Sequence, residues 1–322
     1  MPNYSGVWDL KEHGVAVKGD RWQEYIDFSI RAVFAGGMYN AYDVIDYVAI
    51  GSTGDATDFG DLTSPRGMTT GCASATRGII GGGITTGYGT SGQDFIDYIT
   101  IATTGNGTDF GNLTVGRNNL GACNSATRGV FFGGRTDTGS TGTNTIDYIT
   151  IASAGDATDF GDATTGFMAV GGTSSSTRGV FGGDYNGQDN IDYITIASAG
   201  DATDFGNLSV GRHGCGAFSN GTRGCFGGGS LSSGHTSNTI DYITIASTGN
   251  ASDFGDLTTA RAEIAGASSS TRGIFAGGGT SPRLDIMDYV TIASAGNATD
   301  FGDLTQARDG LAGLSNANGG LQ

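Results

Sequence analysis

Apolar and polar positions along the chain follow one pattern, repeated six times. A run of β-branched, aromatic and small polar residues, IDYITIAS in its commonest form, leads through a glycine followed by Asp or Asn into ATDFGDLT. The tyrosines of the run, Tyr47, Tyr98, Tyr148, Tyr193, Tyr242 and Tyr289, are 51, 50, 45, 49 and 47 residues apart. Ahead of each run stands a second block: an arginine (Arg31, Arg77, Arg128, Arg178, Arg223 or Arg272), a small residue, an apolar pair and a double glycine. Between the two blocks lies a segment of variable length and sequence. No 3.6-residue periodicity runs through these blocks, so helices are not expected.

Each unit reads as four strands. In the last complete copy, residues 262–270 (AEIAGASSS) are small and suit a strand crowded against an axis. RGIFAGG is a second strand, IMDYVTIAS a third with strong β propensity, and ATDFGDLT a fourth. The turn glycines Gly54, Gly105, Gly155, Gly200, Gly249 and Gly296 precede Asp or Asn, which predicts tight hairpins between strands three and four. Four strands in about 48 residues is the arithmetic of a propeller blade. The repeats open midway, at Arg31, and the chain stops after a lone small strand near Arg308–Asn316. The C-terminal strand is therefore expected to complete the N-terminal blade, closing a ring and removing two sheet edges. The reading is an all-β, six-bladed β-propeller of four antiparallel strands per blade over residues 31–322, with residues 1–30 outside the repeat as either a strap packed on the propeller or an attachment arm bearing Val7, Trp8, Leu10 and Trp22.

The order of small strand, apolar pair with double glycine, loop, apolar-x-Tyr, turn, aromatic-x-x-Leu and then Arg resembles the kelch repeat. The tryptophan of that family is replaced here by Phe59, Phe110, Phe160, Phe205, Phe254 and Phe301. The wording IDYITIAS, ATDFGDLT, STRGVFGGG is similar to repeats in virion proteins of marine tailed bacteriophages, over roughly residues 30–320. That resemblance implies a virion location and a non-enzymatic structural protein: an appendage, a tail or head fibre, or a decoration component. It also implies other virion proteins as partners through residues 1–30, and a symmetric homo-oligomer or many copies on the particle.

Charge narrows the partners. With 32 acids against 16 bases the net charge is −16, so nucleic-acid phosphate and anionic membrane surfaces are disfavoured. No run of 18 apolar residues exists, and the opening MPNYSGVWDLKEHG lacks the basic and apolar regions of a signal peptide. Collagen is excluded, because the 60 glycines follow no three-residue period and only 3 prolines accompany them. Cys72, Cys123, Cys215 and Cys225 form no CxxC and read as small buried core residues.

The tempting motifs are discounted by context. Six DFG triplets lack the HRD and β3 lysine of a kinase. Gly81–Gly83 opens no helix and makes no phosphate cradle. Asp55, Asp58 and Asp61 stand three apart and offer carboxylates to calcium, but without EF-hand alternation; the competing expectation is that Arg31 and its five counterparts each neutralise the acidic turn of their own blade. His13, His213 and His235 occupy no shared repeat position, so neither a copper nor a zinc centre is expected, and no cofactor or metal is assigned. Glu24 and Glu263 are lone acids outside the repeat. A polysaccharide-degrading carboxylate pair stays open as an alternative, as does a purely structural capsid or tail decoration role.

Binding is expected in the variable loops after the double glycine, all on one face: 38–44, 84–95, 135–145, 184–190, 230–239 and 280–286. Their Tyr, Asn, Ser, Gly and Asp content suits adaptable recognition of host envelope glycans or a receptor, and equally suits solvated connecting turns. Tyr39, Tyr42, Tyr88 and Tyr185 are candidate stacking platforms. Arg135, Asp184, Asn186, Gln188, His235 and Arg283 are candidate polar contacts. Arg66, Arg117, Arg212, Arg261 and Arg308, which follow the Leu-Thr or Leu-Ser step, are expected to reach the same face, with Phe167 in the sixth slot.

Overall fold

A computed structural model describes residues 30–38, 42–85, 91–136, 141–185, 187–279 and 281–317. Residues 1–29, and with them Val7, Trp8, Leu10 and Trp22, lie outside that set. The described residues are all-β and form six four-stranded antiparallel sheets. Blade 1 holds β1 (Arg31–Ala35), β2 (Val44–Ala49) and β3 (Thr57–Asp61). Blade 2 holds β4 (Thr70–Ala73), β5 (Arg77–Gly81), β6 (Phe95–Thr100) and β7 (Thr108–Asn112). Blade 3 follows with β8 (Gly121–Asn124), β9 (Arg128–Phe132), β10 (Thr143–Thr150) and β11 (Thr158–Phe167). Blade 4 is β12 (Gly171–Ser174), β13 (Arg178–Gly182), β14 (Asn190–Thr195) and β15 (Thr203–Asn207).

A short pair, β16 (Arg212–His213) with β19 (Ser230–Leu231), sits above blade 5. Blade 5 itself is β17 (Gly216–Ser219), β18 (Arg223–Gly227), β20 (Thr239–Thr244) and β21 (Ser252–Asp256). Blade 6 is β22 (Ala265–Ser268), β23 (Arg272–Ala276), β24 (Ile286–Thr291) and β25 (Thr299–Asp303). The last strand, β26 (Ala312–Ser315), pairs with β1, Val33 opposite Leu314, so the ring closes as the chain ends imply.

The core consists of six interfaces rather than one interior. In β2, Ile45 and Tyr47 face blade 2, where Ile80 and Ile99 meet them; Val48 points the other way, toward Ile274 and Phe301 of blade 6. Both faces of every blade are thus covered, which is why the third strand reads as nearly continuous apolar and aromatic residues. A bulge recurs opposite it: Ile45 pairs with Gly60 and Asp46 with Asp58, leaving Phe59 extra and 2% exposed.

Strands three and four pair antiparallel as expected, Tyr47 opposite Thr57, but the connection carrying Gly-Asp is longer than a tight hairpin turn and docks on the neighbouring blade. The N–H groups of Gly54 and Ala56 donate to Phe301 and Asp303 of the preceding blade, and the same two bonds recur around the ring, as from Gly105 and Gly107 to Phe59 and Asp61. The Asp or Asn after the turn glycine supplies a further acceptor: Asp61 N–H donates to Asn106 Oδ1 at 3.1 Å and Asp303 N–H to Asp55 Oδ1 at 3.2 Å. Gly60, at φ +147°, permits this docking, because a Cβ there would lie 2.6 Å from the Gly105 carbonyl. The repeated D-F-G is therefore blade cement.

The strand arginines also behave differently from expectation. Arg31, Arg77, Arg128, Arg178, Arg223 and Arg272 do not pair with the acidic turns. Each lays its guanidinium 4.2–4.6 Å from the ring centroid of its own blade's tyrosine. Each also donates through Nη1, at 2.7–2.9 Å, to an isoleucine carbonyl of the next blade, from Arg31 to Ile101 round to Arg272 and Ile50. A planar cation that stacks and donates at once can span that gap, whereas a carboxylate at the exposed rim would be screened by water.

Candidate functional site

The loop arginines are the second correction. Arg66, Arg117, Arg212, Arg261 and Arg308 are fully buried and present nothing to a ligand. Each forms an ion pair of 2.7–3.1 Å with an aspartate in the third strand of the following blade: Asp97, Asp147, Asp241, Asp288 and Asp46 in turn. The Thr or Ser of the Leu-Thr or Leu-Ser step donates its N–H and hydroxyl to the same carboxylate, as Thr63 does to Asp97. At the sixth junction Phe167 stands in the arginine slot, edge-on to Phe181 at 5.5 Å. Asp192 there keeps only the donations of Thr164, and burial pushes its carboxyl above the usual range.

Beyond these arginines the chain turns toward the axis, and there a site is built. Two residues past each slot stand Met68, Asn119, Ala169, Gly214, Glu263 and Gly310, all left-handed with φ between +55° and +67°. Their main chains form a closed circle. Met68 N–H donates to Gly310, Asn119 to Met68, Ala169 to Asn119, Gly214 to Ala169, Glu263 to Gly214 and Gly310 to Glu263, at 2.7–3.0 Å. The inner strands beneath allow little space: a Cβ on Gly172 would come 2.2 Å from the Ala122 carbonyl oxygen. The mouth of the channel is thus a shallow cup with about 80 Å³ open to water, lined by all six ring residues. At the other end, hydroxyls line the bore in sequence: Ser219 Oγ donates to Ser174 O, Ser268 to Ser219 and Ser315 to Ser268, at 2.6–2.7 Å.

Unlike the blades, the mouth is asymmetric in chemistry. Glu263 comes from the connection into blade 6. Burial, with Asp309 nearby, pushes its carboxyl up to about 7, while Arg135 of the opposite blade 3 acts in the other direction. Arg135 Nε donates to Asn118 Oδ1 at 3.1 Å, and Arg283 Nε pairs with Asp309 Oδ1 at 2.9 Å. Asp309 is raised by burial against the pull of Arg283. Asn119 Oδ1 and Asn118 Nδ2 are buried without a hydrogen-bond partner. Tyr185 lies over His213, ring centroids 4.7 Å apart, and burial lowers the histidine's pKa against the pull of Asp184.

The structure therefore gathers part of the sequence-derived set around the pole. Arg135 and Arg283 edge the mouth; Tyr185 is exposed beside it at 47%. Asp184 is buried and accepts Met168 N–H at 3.0 Å. Tyr42 is half-buried, its N–H on the Gly37 carbonyl, while Gln188 and His235 are exposed on outer loops. Tyr39, Tyr88 and Asn186 lie outside the described residues. Asn118, Asn119 and Asp309 were not singled out from the sequence, and Glu263 was noted there only as an isolated acid. The signal existed, since these slots vary from copy to copy while the blocks around them repeat, but nothing local says that six slots converge.

Among the described residues no three His, Cys, Asp or Glu side chains are grouped to hold a metal ion. The four cysteines are buried and free, and burial pushes the Cys72 and Cys225 thiols up to about 12. Comparison with family models finds no match to the chain, and comparison with curated proteins finds none either.

Proposed function

We propose that this chain is a non-enzymatic recognition propeller, a virion component of a tailed bacteriophage that presents its loop face to glycans of the host envelope. The observation that carries the reading is the division of labour among side chains. The repeated arginines join blade to blade, whereas the unlike residues Asn119, Arg135, Tyr185, Glu263 and Arg283 collect at one pole. A scaffold that repeats its packing and varies one face suits display of a binding surface. The virion assignment and the kelch-like ancestry rest on the resemblance of the repeats. Residues 1–30 are the arm that joins neighbouring virion proteins, and the particle carries the propeller in many copies.

The test is binding of purified protein to bacterial envelope preparations, comparing wild type with a Tyr185→Ala, Arg283→Ala double variant. Saturable binding that falls at least about tenfold in the variant, with thermal stability retained, supports the reading; loss of one well-placed aromatic and one charged contact costs at least that much. Absence of binding by the wild type overturns host recognition and leaves the decoration role.

A further inference from the structure

We propose that the cup at the axis is a subsite for the terminal residue of a neutral saccharide, in which Glu263 and Asn119 accept hydrogen bonds from neighbouring ring hydroxyls. This rests on the loop-face reading above and names the class of ligand at its centre.

Three observations select that class. First, charge is compensated at the mouth: Arg135 faces Glu263 from the opposite blade and Arg283 is bonded to Asp309, so the cup favours a ligand without net charge. Second, the chemistry turned to the cup is accepting. Asn119 Oδ1 is buried without a donor, and Glu263 supplies carboxylate oxygens over Gly214, where a Cβ would lie 2.8 Å from Oε1. Hydroxyl donors satisfy both, and a carboxylate matches two adjacent hydroxyls because its oxygens are spaced like theirs. Third, the wall of the cup is the hydrogen-bonded circle, whose ring N–H groups are already used within it, and the inner strands continue beneath it. Gly214, Gly310 and Ala169, with Gly172 and Ala217 beneath them, leave small apolar surface for the C–H edge of one sugar residue.

The conformation of the circle points the same way. Glycine holds two of its six positions and would relieve the left-handed backbone at all of them, yet Glu263 and Asn119 stand at φ +55° and +56°. L-residues are disfavoured in that region, and of the four that occupy it Glu263 and Asn119 carry polar groups to the axis while Met68 and Ala169 do not.

The experiment titrates the full-length protein with glucose, galactose, mannose and N-acetylglucosamine at millimolar concentrations, followed by ligand-observed NMR. At least one sugar is expected to saturate the wild type. Glu263→Gly and Asn119→Gly should each weaken it at least about tenfold, the loss of a hydrogen bond to a charged or buried group. Both variants place at the circle the residue that Gly214 and Gly310 already supply, so their melting temperatures should equal or exceed wild type. The subsite is overturned if none of the four sugars saturates the wild type, or if the two variants bind like it. If the variants keep sugar and envelope binding while Tyr185→Ala, Arg283→Ala loses the envelope, loop-face recognition stands without this subsite. If the wild type binds neither envelope nor sugar, both readings fall together.

Discussion

The buried Arg–Asp pairs make the sharpest prediction about stability, and Arg261→Met is the perturbation to make. The Arg261 guanidinium donates to Asp288 at 2.7 Å and to the carbonyls of Gly277 at 2.9 Å, Thr259 at 3.2 Å and Phe275 at 3.3 Å. Methionine fills much of the same volume but donates nothing. Removing the cation leaves Asp288 charged in a site with no exposure, and breaking such a pair from one side costs about 3–5 kcal/mol. Four lost hydrogen bonds at roughly 1 kcal/mol each give the same figure. Against a total of about 5–15 kcal/mol this is a large share of the stability. Urea unfolding followed by far-UV circular dichroism should show it as a lower midpoint with unchanged slope. A loss below about 1 kcal/mol would refute the account of these arginines as clamps between blades.

Asp192→Asn should behave in the opposite way. Its carboxyl is raised in the fold by burial without a cation, so stability is greatest below the unfolded pKa, near 4, and falls as pH rises through the folded value. The variant should match or exceed wild type at pH 7 in the same urea experiment. Glu263→Gln tests the pole. With the folded carboxyl near 7 and an unfolded value near 4.5, wild-type stability should decline between those limits, and the variant should lack that slope. The gain at pH 8 is at most about 3 kcal/mol, and about 1–2 after screening at a half-exposed mouth, read from paired melts at pH 4 and pH 8. Gly60→Ala should cost about 2 kcal/mol or more, since its Cβ would meet the next blade's turn at 2.6 Å; an equivalent change at Gly54, where nothing lies within 4 Å, isolates backbone strain from collision.

The number of blades, the strand order within each and the closure of the ring were all legible in the amino-acid sequence. The reason is physical: strand, turn and strand are local, and six near-identical units with a split first copy leave a closed ring as the arrangement that completes the first blade. The identity of the clamping residues was equally visible, because Arg31, Arg66 and Phe59 recur with their blocks. Their roles were not. Arg66 belongs to Asp97, 31 residues on, and Arg31 to Ile101, 70 residues on, and only the packing of one blade against the next brings these groups together. The Gly-Asp turns read as tight hairpins for the same reason, since their docking partners are the outer strands of the preceding blade. The pole depends on the tertiary structure most of all. Met68, Asn119, Ala169, Gly214, Glu263 and Gly310 look like scattered variation in the chain, and become one circle only because rotation about the axis superposes the same slot of every unit at a single point.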